Sequence, residues 1–270
     1  MGDDGGRVEI GGRAFAWRSL GEGPPLLLVN GYAATGADWD PSFLAGLAAR
    51  FEVICPDNRG IGESELGEPA ELTVAAMAAD LEALLDRLGI ERLPVVGWSM
   101  GGFVAQRLAL RCPGRVAGLG LLATDPGGPD STPAEPRVWA ELTDHGGTPR
   151  EQASRLIALL FPPPLATQVD ARFGDAVAAA RAQLSPAAMG AQEAAMVAWH
   201  AEPQPAPGPE APPTLVLHGA ADRVIPAANA APLAARWGAE AELFDGAGHG
   251  LMAQEPERLA ALLSGFLGRR

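Results

Sequence analysis

The stretch Val95-Val96-Gly97-Trp98-Ser99-Met100-Gly101-Gly102 decides the fold. An apolar run ends on a serine with a glycine two residues to either side, and a helical pattern starts at once after it. This arrangement predicts a sharp, strained strand-to-helix turn that holds the Ser99 hydroxyl above a sheet. Positions 97 and 101 need residues without bulk, because backbones pass closely there. The similar triplet Gly62-Glu63-Ser64 has Leu66 in place of the second glycine and lacks the strand and helix on either side.

Working outward, short apolar runs alternate with helical patterns, as in βαβ units around a largely parallel sheet. Strands are predicted at Arg7–Ile10, Ala14–Arg18, Pro25–Val29, Phe51–Pro56, Leu93–Gly97, Val116–Ala123, Thr214–His218 and Ala241–Phe244. Helices are predicted at Pro41–Arg50, Val74–Leu88, Met100–Arg111, Ala228–Trp237 and Pro256–Leu267. Thr73 is placed to cap the second of these and Gly89 to end it. The alternation breaks over residues 125–212, a stretch that opens on Asp-Pro-Gly-Gly-Pro and closes on a proline-rich run. Its helical patterns (Pro149–Leu160, Leu165–Gln183, Ala187–Trp199) carry tryptophans, leucines and methionines that need a surface to bury against. The expectation is a helical cap over the strand ends, with residues 1–124 and 213–270 forming the core.

Composition narrows the function. A chain of 270 residues suits one α/β domain with an insertion, and no stretch approaches the roughly 20 apolar residues of a membrane helix. The net charge of −13 argues against nucleic acid and anionic lipid, and it repels polyanionic substrates. All twenty basic residues are arginine, so Schiff-base chemistry and lysine-held cofactors are excluded. Cys55 and Cys112 read as small buried hydrophobes of a reducing compartment, and no cysteine–histidine cluster has metal-ligand spacing. The segment from Met1 to Gly12 has no secretory character. The expected setting is cytoplasmic, with a small-molecule substrate, no cofactor, no metal, and a monomer or homodimer.

A serine hydroxyl is a poor nucleophile near neutral pH, so Ser99 needs a base within hydrogen-bond reach. Of four histidines, His249 lies in Gly246-Ala-Gly-His-Gly250, a loop that can carry an imidazole back over the strand ends. His218 ends a strand and is read as supporting a turn; His145 and His200 fall in the cap as surface or packing residues. The base requires a carboxylate to hold its tautomer. Asp222, on the loop leaving the seventh strand, is favoured over Asp125, which follows the sixth. Oxyanion donors are expected from the N–H of Met100, at a helix N-terminus, and of Tyr32, in the loop Asn30-Gly31-Tyr32. Trp98, Trp139, Phe161 and Tyr32 are candidates to touch substrate, as are Phe173, Met196 and Trp199. The glycine-rich loop Asp57–Ser64 has neither the lysine of a P-loop nor dinucleotide spacing, and it reads as structural.

Together these residues resemble the α/β-hydrolase fold family over nearly the whole chain, with Asp57–Ser64 matching the family's Asp-x-Arg-Gly-x-Gly-x-Ser loop after strand four. The resemblance implies a mostly parallel eight-stranded sheet with helices on both faces and a helical cap inserted between strands six and seven. It implies Ser99 as nucleophile, Asp222 as acid, His249 as base, and Tyr32 and Met100 as oxyanion donors. Within the family the chain resembles small cytosolic esterases, enol-lactonases and methylesterases, although Asn30-Gly31 replaces a frequent histidine-glycine. The implied activity is hydrolysis of an ester or lactone of a small to medium, fairly apolar molecule. The same triad serves cofactor-free perhydrolases of haloperoxidase type and some lyases, and a ligand receptor keeping the triad as a pocket is a third reading.

Overall fold

Eight short segments pair edge to edge into one sheet, the central ones too apolar to face water on either side. The computed structural model describes residues 4–268. The strands are β1 (Asp4–Ile10), β2 (Arg13–Leu20), β3 (Pro25–Val29), β4 (Glu52–Pro56), β5 (Leu93–Trp98), β6 (Val116–Leu122), β7 (Thr214–Gly219) and β8 (Glu240–Phe244). Their order is β1-β2-β4-β3-β5-β6-β7-β8. β2 runs antiparallel to both β1 and β4, and every later pairing is parallel. β6 is buried along its whole length, as a parallel strand with both faces covered must be.

Helices α1 (Pro41–Ala48) and α10 (Pro256–Leu267) cover one face, packing Phe43, Leu47, Leu259 and Leu263 against Leu26, Leu28 and Val96. Helices α2 (Val74–Arg87), α3 (Met100–Arg111) and α8 (Ala230–Trp237) cover the other, with Leu81, Leu84, Phe103 and Leu233 against Leu27, Val95 and Leu119. Thr73 caps α2, its hydroxyl accepting from Ala76 N–H at 3.0 Å. Cys55 lies buried in β4, whereas Cys112, expected inside, is only half-buried at the end of α3; burial still pushes its thiol up to about 11.

Between β6 and β7 the chain forms α4 (Pro136–Leu142), α5 (Pro149–Leu160), α6 (Pro163–Arg181) and α7 (Pro186–Ala201). All four begin on a proline, whose missing N–H costs nothing in the first turn. Thr148 and Glu151 form a reciprocal capping box on α5. The seven-residue α4 and the four-residue α9 (Leu251–Gln254) are shorter than periodicity can reveal and add to the helices the sequence predicts. α7 is fastened to the core by Trp199, whose ring stacks on Phe103 at 5.0 Å and 14°. No helix among the described residues is long and apolar enough to cross a membrane.

The Asp57–Ser64 loop has the expected structural character. Arg59 donates two hydrogen bonds of 2.8 Å to the Asp80 carboxylate on α2, and Arg13 adds a third at 3.0 Å. Ser64 Oγ donates to Asp57 O and accepts from Ala16 N–H. Arg59 and Asp80 are both withdrawn from water, so removing one partner strands a buried charge. Asp80→Ala is expected to destabilise the fold by about 3–5 kcal/mol, read from the urea midpoint at constant m-value.

Candidate active site

Three loops at the carboxyl ends of the strands meet above β5. Ser99, between β5 and α3, adopts φ 56° and ψ −125°. This positive φ follows from contact: a Cβ on Gly97 would stand 2.4 Å from Gly101 O, and one on Gly101 would stand 2.2 Å from Val29 O. Among the described residues only Ala33, Ser99 and Ala123 combine positive φ with a side chain. Ala33 lies in the loop after β3 and Ala123 directly follows β6, whose last residue, Leu122, accepts from Ser99 N–H, so backbone strain concentrates at this point.

His249 Nε2 lies 2.9 Å from Ser99 Oγ, and His249 Nδ1 lies 2.8 Å from Asp222 Oδ2. An ionised carboxylate only accepts, so Nδ1 carries the proton and Nε2 is left to accept from the serine hydroxyl. The other Asp222 oxygen accepts from Val224 N–H and Ile225 N–H at 2.8 and 2.9 Å. Burial would raise this carboxyl, but the imidazoles of His249 and His218 and their hydrogen bonds outweigh it and hold Asp222 at about 2. His218, read from sequence as a turn support, is fully buried; its Nε2–H donates to Ile225 O at 2.8 Å and stands 3.3 Å from Asp222 Oδ2. The i,i+4 spacing of His218 and Asp222 was the available clue. The two loops are joined by Ala221 N–H donating to Ala247 O, and the His249 loop is tied to the end of α5 by Gly250 N–H donating to Leu160 O.

The N–H groups of Tyr32 and Met100 take part in no hydrogen bond among the described residues. Met100 directly follows Ser99, and Gly31, next to Tyr32, packs on Trp98 and on Ser99, where a Cβ would come within 2.9 and 3.3 Å. Asn30 is fully buried; it donates to Pro56 O, accepts from Trp39 Nε1, and receives Asn58 on its carbonyl. It braces the loop. α7 grips the same loop from above: Gln192 accepts from Ala33 N–H at 2.9 Å, and Glu193 accepts from the Tyr32 hydroxyl while lying 2.7 Å from His145 Nε2. Burial, then the bond to Glu193, push the Tyr32 phenol far above its ordinary range.

Asp125, the alternative acid, does not reach His249. Its oxygens accept from Gly127 N–H, Ser131 Oγ–H, Trp199 Nε1–H and the His200 ring. A cavity of about 910 Å³ opens over Ser99 and His249. Tyr32, Trp98, Trp139, Phe161, Phe173 and Met196 line it, with Asp125 and His200 at its wall. Trp199, expected to touch substrate, does not line the cavity: only 3% exposed, it stacks behind the lining residue Phe103. No group of three or more His, Cys, Asp or Glu side chains suited to a metal occurs among the described residues.

The family model for the alpha/beta hydrolase fold matches residues 24–256. The chain belongs to this family. Over 111 residues this hydrolase-fold chain is 40% identical to the Mycobacterium tuberculosis protein named "Putative non-heme bromoperoxidase BpoC", a match covering 41% of the chain and 42% of that protein. The matched stretch thus spans less than half of this relative's length. Two solved structures align across 98% of both chains at 27% identity. They are a hydrolase from Pseudomonas aeruginosa, with a TM-score of 0.80, and a thermophilic esterase from Thermogutta terrifontis, with a TM-score of 0.76.

The His200–Asp125 pair joins α7 to the loop after β6. Burial lowers the His200 imidazole, but the Asp125 hydrogen bond and charge prevail and its pKa is raised. A raised folded value means stability that is full below the unfolded value of about 6.5 and lost as pH rises through the folded one. The thermal midpoint of wild type should therefore exceed that of His200→Gln most below pH 6, with the gap closing in alkaline buffer.

Proposed function

We propose that this chain is a serine hydrolase that cleaves an ester or lactone of a small to medium, largely apolar molecule through an acyl-enzyme on Ser99. The observation that carries this reading is the Ser99–His249–Asp222 chain of hydrogen bonds opening into an apolar cavity. Ser99 Oγ attacks the substrate carbonyl carbon while its proton passes to His249 Nε2. The negative charge on the carbonyl oxygen falls between the N–H groups of Tyr32 and Met100, the latter at the positive end of α3. His249 then protonates the departing alcohol. Water enters, gives a proton to His249 Nε2 and attacks the acyl carbon; the acid leaves and Ser99 is restored.

Asp222 accepts two backbone N–H bonds at one oxygen and the His249 proton at the other, so it holds one tautomer and stabilises the imidazolium. The cavity volume lies toward the upper end of small-molecule pockets, which suits an acyl or alcohol group larger than acetate. The similarity to a thermophilic esterase over 98% of both chains supports the same reaction class. The bromoperoxidase-named relative favours one second reading: the acyl-enzyme formed from a carboxylic acid is attacked by hydrogen peroxide in place of water, releasing a peracid. Comparing peracid formation from acetate and peroxide with p-nitrophenyl ester hydrolysis separates the two.

Ser99→Ala is expected to lower kcat/KM toward p-nitrophenyl butanoate by at least about 10⁴-fold, and a fluorophosphonate should label wild type once, on Ser99. Undiminished turnover in Ser99→Ala would refute the assignment. Asp222→Asn should keep the fold and lose about 10⁴-fold in kcat, because the amide favours the wrong imidazole tautomer.

A further inference from the structure

The cavity wall holds one buried charge, that of Arg181, with no hydrogen-bonded or ion-paired partner among the described residues. Arg181, the last residue of α6, is 91% buried by its 9% exposure and lines the cavity beside Ala180, Val177 and Phe173. Its guanidinium makes no hydrogen bond and no ion pair among the described residues, and its Nε is buried without a partner. The other charged lining groups are engaged. Asp38 closes a capping box with Thr35, Asp40 caps α1, and Asp125 and His200 hold each other. Glu193, close enough to act on Arg181 electrostatically, is already bonded to Tyr32 and to His145. Arg155 adds positive potential from nearby, its own guanidinium tied to the Asp144 and Gly146 carbonyls.

A buried cation is costly unless it is paired, and such groups are normally neutralised by a partner. Sequence logic would place an arginine at the end of an amphipathic helix in water, where it also suits the C-terminal dipole. Here it points inward. Burial lowers the guanidinium's affinity for its proton, yet arginine stays charged, so the positive charge is retained facing an apolar chamber. A planar fork of N–H donors matches a carboxylate with two parallel hydrogen bonds. The net charge of −13 and the carboxylates of Asp38 and Glu193 oppose a dianion such as a phosphomonoester more strongly than a monoanion, which a single guanidinium can pair.

We propose that Arg181 binds a carboxylate carried by the substrate, so that this site takes esters or lactones with an apolar body and one distal carboxylate group. The proposal rests on the acyl-transfer reading of Ser99. Arg181 is then a specificity residue reached from the cap, and the reacting atoms belong to the core.

Two substrate pairs test it in wild type, Arg181→Gln and Arg181→Lys. In p-nitrophenyl hemi-adipate against p-nitrophenyl hexanoate the carboxylate sits on the acyl side. In 4-acetoxybenzoate against phenyl acetate it sits on the leaving group. In at least one pair the preference for the anionic member, as a ratio of kcat/KM values, should fall roughly 10- to 100-fold in Arg181→Gln. The loss should come chiefly through KM, with Arg181→Lys intermediate because it keeps the charge and loses the fork. An unchanged ratio in both pairs overturns the proposal, while turnover of the neutral esters leaves the Ser99 reading intact. If none of these esters is turned over, calorimetry on Ser99→Ala decides between monomethyl and dimethyl adipate. Tighter binding of the monoanion that disappears in Ser99→Ala with Arg181→Gln supports the assignment, and equal or undetectable binding of both overturns it. Arg181→Met should also raise the thermal midpoint of the unliganded protein, by about 2 °C or more. A fall instead would make Arg181 a structural residue and refute a binding role.

Discussion

The closest constraint in the molecule is the near-contact of three backbones at the top of the sheet. β5 turns into α3 so tightly that Gly97 faces Gly101 O, while Gly101 lies against Val29 O at the end of β3. No side chain fits between them. Ser99 is therefore held at positive φ, a conformation that costs on the order of 1–3 kcal/mol and persists because the surrounding sheet and helix leave no alternative. The same crowding packs Gly31, in the loop after β3, directly against Trp98 and Ser99.

Around this point the polar groups are layered so that each fixes the next. His218 and two backbone N–H groups saturate Asp222, Asp222 orients His249, and His249 meets the serine hydroxyl. Each step is buried, where the low dielectric strengthens these hydrogen bonds. The cap completes the arrangement from outside. Gln192 and Glu193 of α7 grip the loop after β3, and Trp199 with His200 docks α7 onto Phe103 and Asp125. The inserted helices thus do structural duty for the core beyond forming a roof.

Strand positions and helix placement are legible because central parallel strands must be apolar on both faces and their helices amphipathic; Met100–Arg111, Pro149–Leu160 and Pro256–Leu267 are located to the residue. The meeting of Ser99, Asp222 and His249 was legible too, since each stands in a short loop at a strand's carboxyl end. What escaped depends on side-chain direction across the core–cap boundary, which no local pattern encodes. Trp199 and Met196 lie one turn apart on α7, yet one faces Phe103 and the other the cavity. Arg181 carried no signal of inward orientation, because a C-terminal arginine is ordinarily solvated. His218 was undervalued for a different reason: its partner lies four residues on, across a bend that periodicity does not describe.

The bond from Gly250 N–H to Leu160 O joins the histidine loop directly to the end of α5. On that side the roof is stitched to the floor, so it cannot lift there without displacing the imidazole. Phe173 and Val197, by contrast, border the chamber and remain about half exposed. The chamber thus has a seam at Leu160, beside the imidazole loop, and an apolar, solvent-facing rim at Phe173 and Val197.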